Sequence, residues 1–395
     1  MPQITIFMLP KKISEIINNN VNIISKEMSY KKDFFGDTPA PFVGRFNYPN
    51  VNVGIMSAIN AEKKDELDNP KLWSNENKTV DEVVNLRSSL INSRFKSNVY
   101  SKREKLNELA KEVGLASGNV ETEINLEDKP HFKLNTFSYA TPHGPNAQLK
   151  KAKITSNPKL NSKVERAHYD TDLKSATALN ELYNKGIDEN HLSQILSVGA
   201  LGIGKNRKLV PTRWSITATD DTLGKQLLKD IKINNPLDNY KIYFGGIMGN
   251  YYLILMFPEI FNYELFEFSL QHPDSYSTDF EYFSGRKKYS EACEGGYYTV
   301  RMAICEKLKE LNLQSTAIAI RFITPEYTAP LGVWVTREAT RRCLKQKPYE
   351  FNSKEAMLDA ARNIIKDEFK FNLDIFLTKS ILLKNLKTQK KLFEF

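Results

Sequence analysis

Cysteine is scarce in this 395-residue chain: there are three, Cys293, Cys305 and Cys343. Three scattered thiols are too few for a disulfide framework or for a zinc site built on four cysteines, so reduced interior thiols are expected. Histidine is hardly more frequent. The five histidines, His131, His143, His168, His191 and His272, form no pair at metal-ligand spacing, and neither a metal nor another cofactor is read from them. Long apolar runs are missing too, since none approaches the roughly 18 residues of a membrane span. The richest, Ile247 to Phe257, is interrupted by Gly249 and Asn250 and reads as two buried strands meeting at a turn. No basic segment, apolar core and small-residue cleavage site open the chain, so a cytoplasmic protein without a membrane partner is expected.

What is abundant is ordinary core material and positive charge. With 41% hydrophobic residues the chain is long enough for roughly two or three folded domains. Lysine and arginine (56) outnumber aspartate and glutamate (47), giving a formal charge of +9. That balance permits an anionic partner such as nucleic acid without requiring one.

Apolar periodicity then sets out the elements. Ile13, Ile16, Ile17, Val21 and Ile24 form a helical stripe, and Pro39, Pro41 and Pro49 mark extended chain with tight turns. Thr79 with Glu82 is a capping box for a helix running to about Arg94, and a second helix is expected over about 101–113. Strands are expected within 120–140, and short helices over 172–186 and 188–198. A helix from Thr219 to Ile231 precedes strands at about 240–248, 251–257 and 263–269. Further on come a helix over 297–311, a buried strand over 316–323, and helices over about 333–345, 353–367 and 372–384. The class is mixed α/β of the α+β kind: a central, mostly antiparallel or mixed sheet with surrounding helices, a helical C-terminal region and a short peptide-like tail.

Four constellations could carry chemistry. Glycines from Gly199 onward with Lys205, Arg207, Lys208 and Arg213 suit a phosphate or DNA backbone, although Gly204-Lys205 is followed by Asn206 and so is no Walker A loop; a solvated surface loop is the plainer reading. Asp220, Asp221, Asp279, Glu281 and Glu294 could gather divalent cations for phosphodiester cleavage. Against that stand helix capping by Asp220 and Asp221, and ion pairs from the others to Arg286 or Arg301. Rings and cations alternate from Tyr276 to Arg301, including Arg286, Lys287 and Arg301, as unpaired bases would need or as a core would contain. Arg337 and Arg341 share a helix face, either a basic stripe against DNA or a solvated surface.

The last seven residues, Gln389 to Phe395, place Leu392 and Phe395 one helical turn apart, with Phe393 between them and Gln389 offset for a polar pocket. This pattern resembles the peptide by which replication and repair proteins dock on the DNA sliding clamp, PCNA. A tail that folds back on its own core would look similar.

Several longer stretches resemble the archaeal Nre DNA-repair proteins: Pro41-Phe42-Val43-Gly44-Arg45 through Val53-Gly54, Arg87-Ser88-Ser89-Leu90, Lys208 through Thr222, Ser277 through Glu281, Pro325-Glu326-Tyr327 and Gly332-Val333-Trp334. The resemblance implies an N-terminal extension (1–34), an Nre N-terminal domain (35–270), an Nre C-terminal domain (271–384) and a clamp-interacting tail (385–395). It also implies a DNA-repair role with DNA and PCNA as partners, the clamp being met by Gln389, Leu392, Phe393 and Phe395. Members often carry an N-terminal cysteine cluster; no cysteine precedes Cys293 here, so no zinc site is carried over. Whether the chain cuts any bond stays open between a DNA-binding repair factor, a metal-dependent nuclease that would need a divalent metal, and a non-catalytic adaptor.

Overall fold

The computed structural model describes residues 11–28, 32–101, 104–130 and 144–388. The tail from Gln389 to Phe395, with His131 and His143, lies outside them. The chain divides into two units, Met1–Leu223 with Thr328–Gly332 and Gly224–Tyr327 with Val333–Phe395.

In the first unit five strands close into a barrel: β1 (Asp33–Val43), β2 (Asn50–Ala58), β3 (Ile91–Asn98), β4 (Val120–Leu126) and β5 (Asn146–Ile154), in the order β1-β2-β3-β5-β4. One long strand serves two neighbours. β1 pairs with β4 through Asp33 to Thr38 and with β2 through Asp37 to Val43, and its register shifts between Asp37 and Ala40. Pro39, which has no N–H to give a ladder, falls within that shift. A short parallel pairing of Asn92–Arg94 with Asn146–Gln148 joins β3 to β5 and completes the ring. Alternation supplies the core: Val51, Val53 and Ile55 of β2 and Val120, Ile124 and Leu126 of β4 point inward from one face of each strand.

Among the described residues of this unit eight helices begin: α1 (Lys11–Glu27), α2 (Pro70–Asn75), α3 (Val80–Ser88), α4 (Lys105–Leu115), α5 (Ser162–Tyr169), α6 (Ser175–Asn184), α7 (Glu189–Ser197) and α8 (Thr212–Ile231), the last carrying the chain into the second unit. α1 buries Ile13, Ile17 and Ile24 of the expected stripe. The capping box at Thr79 and Glu82 is made in both directions, but α3 ends at Ser88 rather than near Arg94. Residues 91–98 go to β3 instead, where inward-facing Ser93 and Ser97 disguise the strand period. α8 starts seven residues before the expected Thr219, because the Pro211 carbonyl already accepts N–H bonds from Trp214 (2.8 Å) and Ser215 (2.9 Å). Asp220 and Asp221 are therefore mid-helix residues, not caps.

The second unit holds a six-stranded sheet in the order β11-β6-β7-β10-β8-β9, built from β6 (Tyr240–Ile247), β7 (Asn250–Phe257), β8 (Asn262–Ser269), β9 (His272–Glu281), β10 (Thr316–Ile323) and β11 (Tyr349–Phe351). Only β8 and β10 run parallel. The turn expected inside the apolar run is the β6–β7 hairpin, with Met248 and Gly249 at φ 51° and 69°, the left-handed pair a two-residue hairpin loop demands. Among the described residues five helices accompany the sheet: α9 (Glu294–Leu311) before β10, α10 (Trp334–Leu344) before β11, and α11 (Lys354–Phe369), α12 (Asp374–Leu377) and α13 (Ile381–Thr388) after it. α10 lies against α9, β6 and β7. Met357, Ala361 and Ile365 of α11 and Phe376 of α12 join Leu253, Leu255, Phe266, Phe268 and Ile320 in one core. The single helix expected over 372–384 is broken at Ser380, whose hydroxyl and the N–H groups of Ile381 and Leu382 turn to the buried Glu264 carboxylate. The mixed α/β class with a helical C-terminal region is as read from sequence; its strands are shared between two sheets.

Candidate nucleic-acid interface

The surface best suited to nucleic acid lies at one end of the barrel, where three segments distant in sequence meet. The β1–β2 connection turns at Asn47, whose φ of 62° an asparagine tolerates, and presents Arg45, Phe46 and Tyr48 to solvent. Arg45 stands over the Phe46 ring at 5.3 Å. Tyr100 follows β3, its N–H donating to Asn98 Oδ1 at 3.1 Å. Lys208 comes from the glycine-rich loop and donates from Nζ to the hydroxyls of Tyr48 (3.2 Å) and Tyr100 (3.4 Å), its ammonium 5.0 Å from the Tyr100 ring centre. Trp214, in the first turn of α8, packs its ring 5.3 Å from that of Tyr48. Tyr48, Tyr100 and Trp214 remain 39%, 52% and 45% exposed.

Backbone geometry fixes Lys208 in that position. Leu209 N–H donates to Val99 O at 3.0 Å and Val99 N–H to Pro49 O at 2.9 Å, so the loop is laced to the ends of β2 and β3. Gly199, at φ 68°, passes so close to Lys208 that a Cβ would lie 2.6 Å from its carbonyl oxygen. Hydrogen bonds to the Tyr48 and Tyr100 hydroxyls hold the Lys208 ammonium above its ordinary pKa range, which keeps it cationic, and the same ammonium draws Tyr100 below the usual phenol range.

The loop is not a phosphate cradle of free N–H groups. Asn206, Arg207 and Lys208 donate theirs to Ile203, Gly204 and Asn206, within the loop itself. Arg207 is a clip, donating from Nε to Gly202 O and from Nη2 to Asp170 O, both at 2.7 Å. Lys205 and Arg213 are exposed.

In the second unit, most of the charged candidates are partnered inside the fold. Asp279 pairs with Arg286 at 2.7 Å and accepts from Ser290 Oγ and from the N–H groups of Ala292 (3.1 Å) and Cys293 (3.0 Å). Arg286 also donates to the carbonyls of Phe280, Lys288 and Tyr289, folding the loop around itself. Glu281 pairs with Arg301 at 3.1 Å. These are the two ion pairs the sequence offered as the alternative to a metal site. In the first unit Asp220 is buried within α8, in the second Glu294 opens α9, and the described residues contain no group of three or more His, Cys, Asp or Glu able to hold a metal ion.

The basic stripe expected on α10 is not on the surface. Arg337 is completely buried, and Arg341 donates to both Glu306 oxygens (2.8 and 2.7 Å) and to Glu338 (2.7 Å). Of the ring-and-cation segment, Tyr282, Phe283, Lys287, Lys288 and Tyr289 reach solvent, whereas Tyr297 and Tyr298 are interior. Tyr282 and Phe283 border a cleft of about 510 Å³ with Asn262, Thr316, Leu382 and Asn385. Sequence reading missed Tyr48, Tyr100 and Trp214; Tyr48 precedes a proline and Trp214 follows an arginine, but Tyr100 stands beside neither.

Comparison with known proteins agrees along nearly the whole chain. Residues 11–275 match the family model described as Archaeal Nre, N-terminal, and residues 281–395 match Archaeal Nre, C-terminal. The chain is 34% identical to the DNA repair protein NreA of Haloferax volcanii over 344 residues, covering 83% of this chain and 81% of that one. It is 34% identical to the DNA repair protein NreB of Archaeoglobus fulgidus over 383 residues, 93% of each, and 36% identical to NreA of the same organism over 338 residues, 84% of each. No solved structure matches. With both halves matched and relatives spanning more than four-fifths of its length, the chain belongs to the archaeal Nre family.

Proposed function

We propose that this protein is a DNA-repair factor that binds DNA through its folded body and is recruited to the sliding clamp by the peptide Gln389 to Phe395. The repair role is supported by the relatives, each a DNA repair protein by name. DNA binding rests on one observation above the others, the exposed cluster of Tyr48, Tyr100 and Trp214 around the cationic Lys208. Recruitment rests on the spacing of Gln389, Leu392, Phe393 and Phe395. A tether of this kind raises the local concentration of the body at clamp-loaded DNA without adding a contact to the lesion.

Calorimetry with the cognate clamp tests the tail. The full chain is expected to bind and a chain lacking residues 389–395 to lose most of that affinity; equal affinity removes the docking role. DNA binding by the shortened chain is expected to persist and to weaken steeply with salt, which an adaptor that never touches DNA would not show.

A further inference from the structure

We infer that the outer face of β2 and β3, continued by Tyr48, Tyr100 and Trp214, takes an unpaired DNA strand. The inference rests on the DNA-binding reading above and narrows it to a substrate.

The face is built for a polyanion. Asn50 and Asn52 of β2 lie opposite Asn98 and Lys96 of β3, and Gly54 lies opposite Arg94. All of these except Gly54 reach solvent, while Val51, Val53 and Phe95 between them fill the barrel. Asn98 donates to Asn50 at 2.7 Å, so the polar row is ordered across the two strands. Neither strand contains an aspartate or glutamate, and neither does the 44–49 connection nor the 199–214 segment. Arg45, Arg94, Lys96, Lys205, Lys208 and Arg213 thus stand on four segments that carry no acidic residue.

Rings decide between one strand and two. Phosphate contacts serve a duplex as well as a single strand, but in a duplex the base faces are already stacked on each other. Partly exposed tyrosine and tryptophan rings reward a ligand whose bases are free to stack, and base–aromatic stacking is the main sequence-tolerant term in single-strand binding. The rings stand where β2 begins and β3 ends, so a strand whose backbone follows Lys96 and Arg94 meets them directly. Chain topology agrees with the side chains: strand order β1-β2-β3-β5-β4, with α4 between β3 and β4, is that of the OB-fold, whose β2–β3 face and β1–β2 loop receive oligonucleotides. Topology alone would not assign a ligand.

Trp214 provides its own reporter, because Trp73 and Trp334, the other two tryptophans, are buried. The full chain is titrated with an oligothymidylate of about 15 nucleotides, near the upper site size of one OB-fold, with a duplex of the same length and with the matching oligouridylate, following tryptophan emission and anisotropy. The expected result is quenching by the oligothymidylate and binding about tenfold or more tighter than to the duplex. Tyr100→Ala and Trp214→Ala should each weaken it by about 5- to 150-fold, and Lys208→Gln should lower the salt slope by about 0.7. Trp214→Phe, which keeps a ring and controls for folding, should bind with little loss but without the quench. Duplex binding as tight as single-strand binding, or ring variants that bind like the parent, overturns the inference and leaves DNA binding standing. Failure to bind either DNA overturns both readings, and tighter binding of the oligouridylate overturns the choice of DNA over RNA.

Discussion

Arg301 and Glu281 form an ion pair at 3.1 Å inside the second unit, with their side chains 2% and 1% exposed. The guanidinium also lies 5.8 Å from the Tyr297 ring centre and 5.5 Å from that of Tyr298. In sequence one partner reads as a DNA contact and the other as a metal ligand. Buried together they cancel each other's charge, and neither is offered to a ligand. Because each charge depends on the other for its burial, Arg301→Ala or Glu281→Ala alone is expected to destabilise the fold by about 3–5 kcal/mol. Replacing both at once with apolar side chains, Arg301→Met together with Glu281→Leu, should cost less than either single change. Urea denaturation checks this; a double variant as unstable as the sum of the two singles would show that the residues do not act as a pair.

Gly199 is tied to the position of Lys208. Gly199→Ala must hold a left-handed φ of 68° and relieve a 2.6 Å approach to the Lys208 carbonyl. A loss of about 1–3 kcal/mol in stability is expected, together with weaker DNA binding as Lys208 is displaced. Unchanged thermal stability together with unchanged affinity would refute the coupling.

Glu264 gives the second unit a pH dependence of defined sign. Burial pushes its carboxyl above the ordinary 4.5, despite the bonds it accepts at Ser380, Ile381 and Leu382. Unfolded, the group ionises near its ordinary value; folded, it ionises later. Its effect is most favourable below pH 4.5 and is lost as pH rises through the folded-state value. Relative to Glu264→Gln, the parent should therefore lose stability as pH rises through that window. Parallel stability–pH curves for the two proteins would exclude this role.

Removing residues 389–395 should leave the folding free energy within about 0.5 kcal/mol of the full chain. A larger loss in a urea titration would indicate a tail that packs on its own body, the alternative that its apolar residues also allow.

Local signals were legible where the residues that cause a feature are neighbours. The capping box at Thr79, the isoleucine stripe of α1 and the Met248–Gly249 hairpin each depend on a few adjacent positions. β3 was hidden because Ser93 and Ser97 face inward without being apolar. The barrel could not be read at all, since its closure joins β3 to β5 and β1 to β4 across long separations. Charge proved the poorest guide: Arg337 looks like a surface residue in sequence and is completely buried. The candidate interface was half visible, in Lys205, Lys208 and Arg213, but Tyr48 and Tyr100 reach Lys208 from 160 and 108 residues away.

Closure of the barrel also bears on how this protein can meet a partner. The ring of five strands is joined between β3 and β5 by three residue pairs only, Asn92–Arg94 with Asn146–Gln148, so the rest of those two edges is not laddered to each other. The six-stranded sheet ends in β9, which opens His272-Pro273-Asp274 with a proline and a charge, and in β11, only three residues long. Both are poor templates for another strand. Among the described strands, therefore, the two edges of the six-stranded sheet are poor acceptors for β-augmentation. In the clamp docking proposed above, this chain is the donor of the linear segment, Gln389 to Phe395, and its partner supplies the groove.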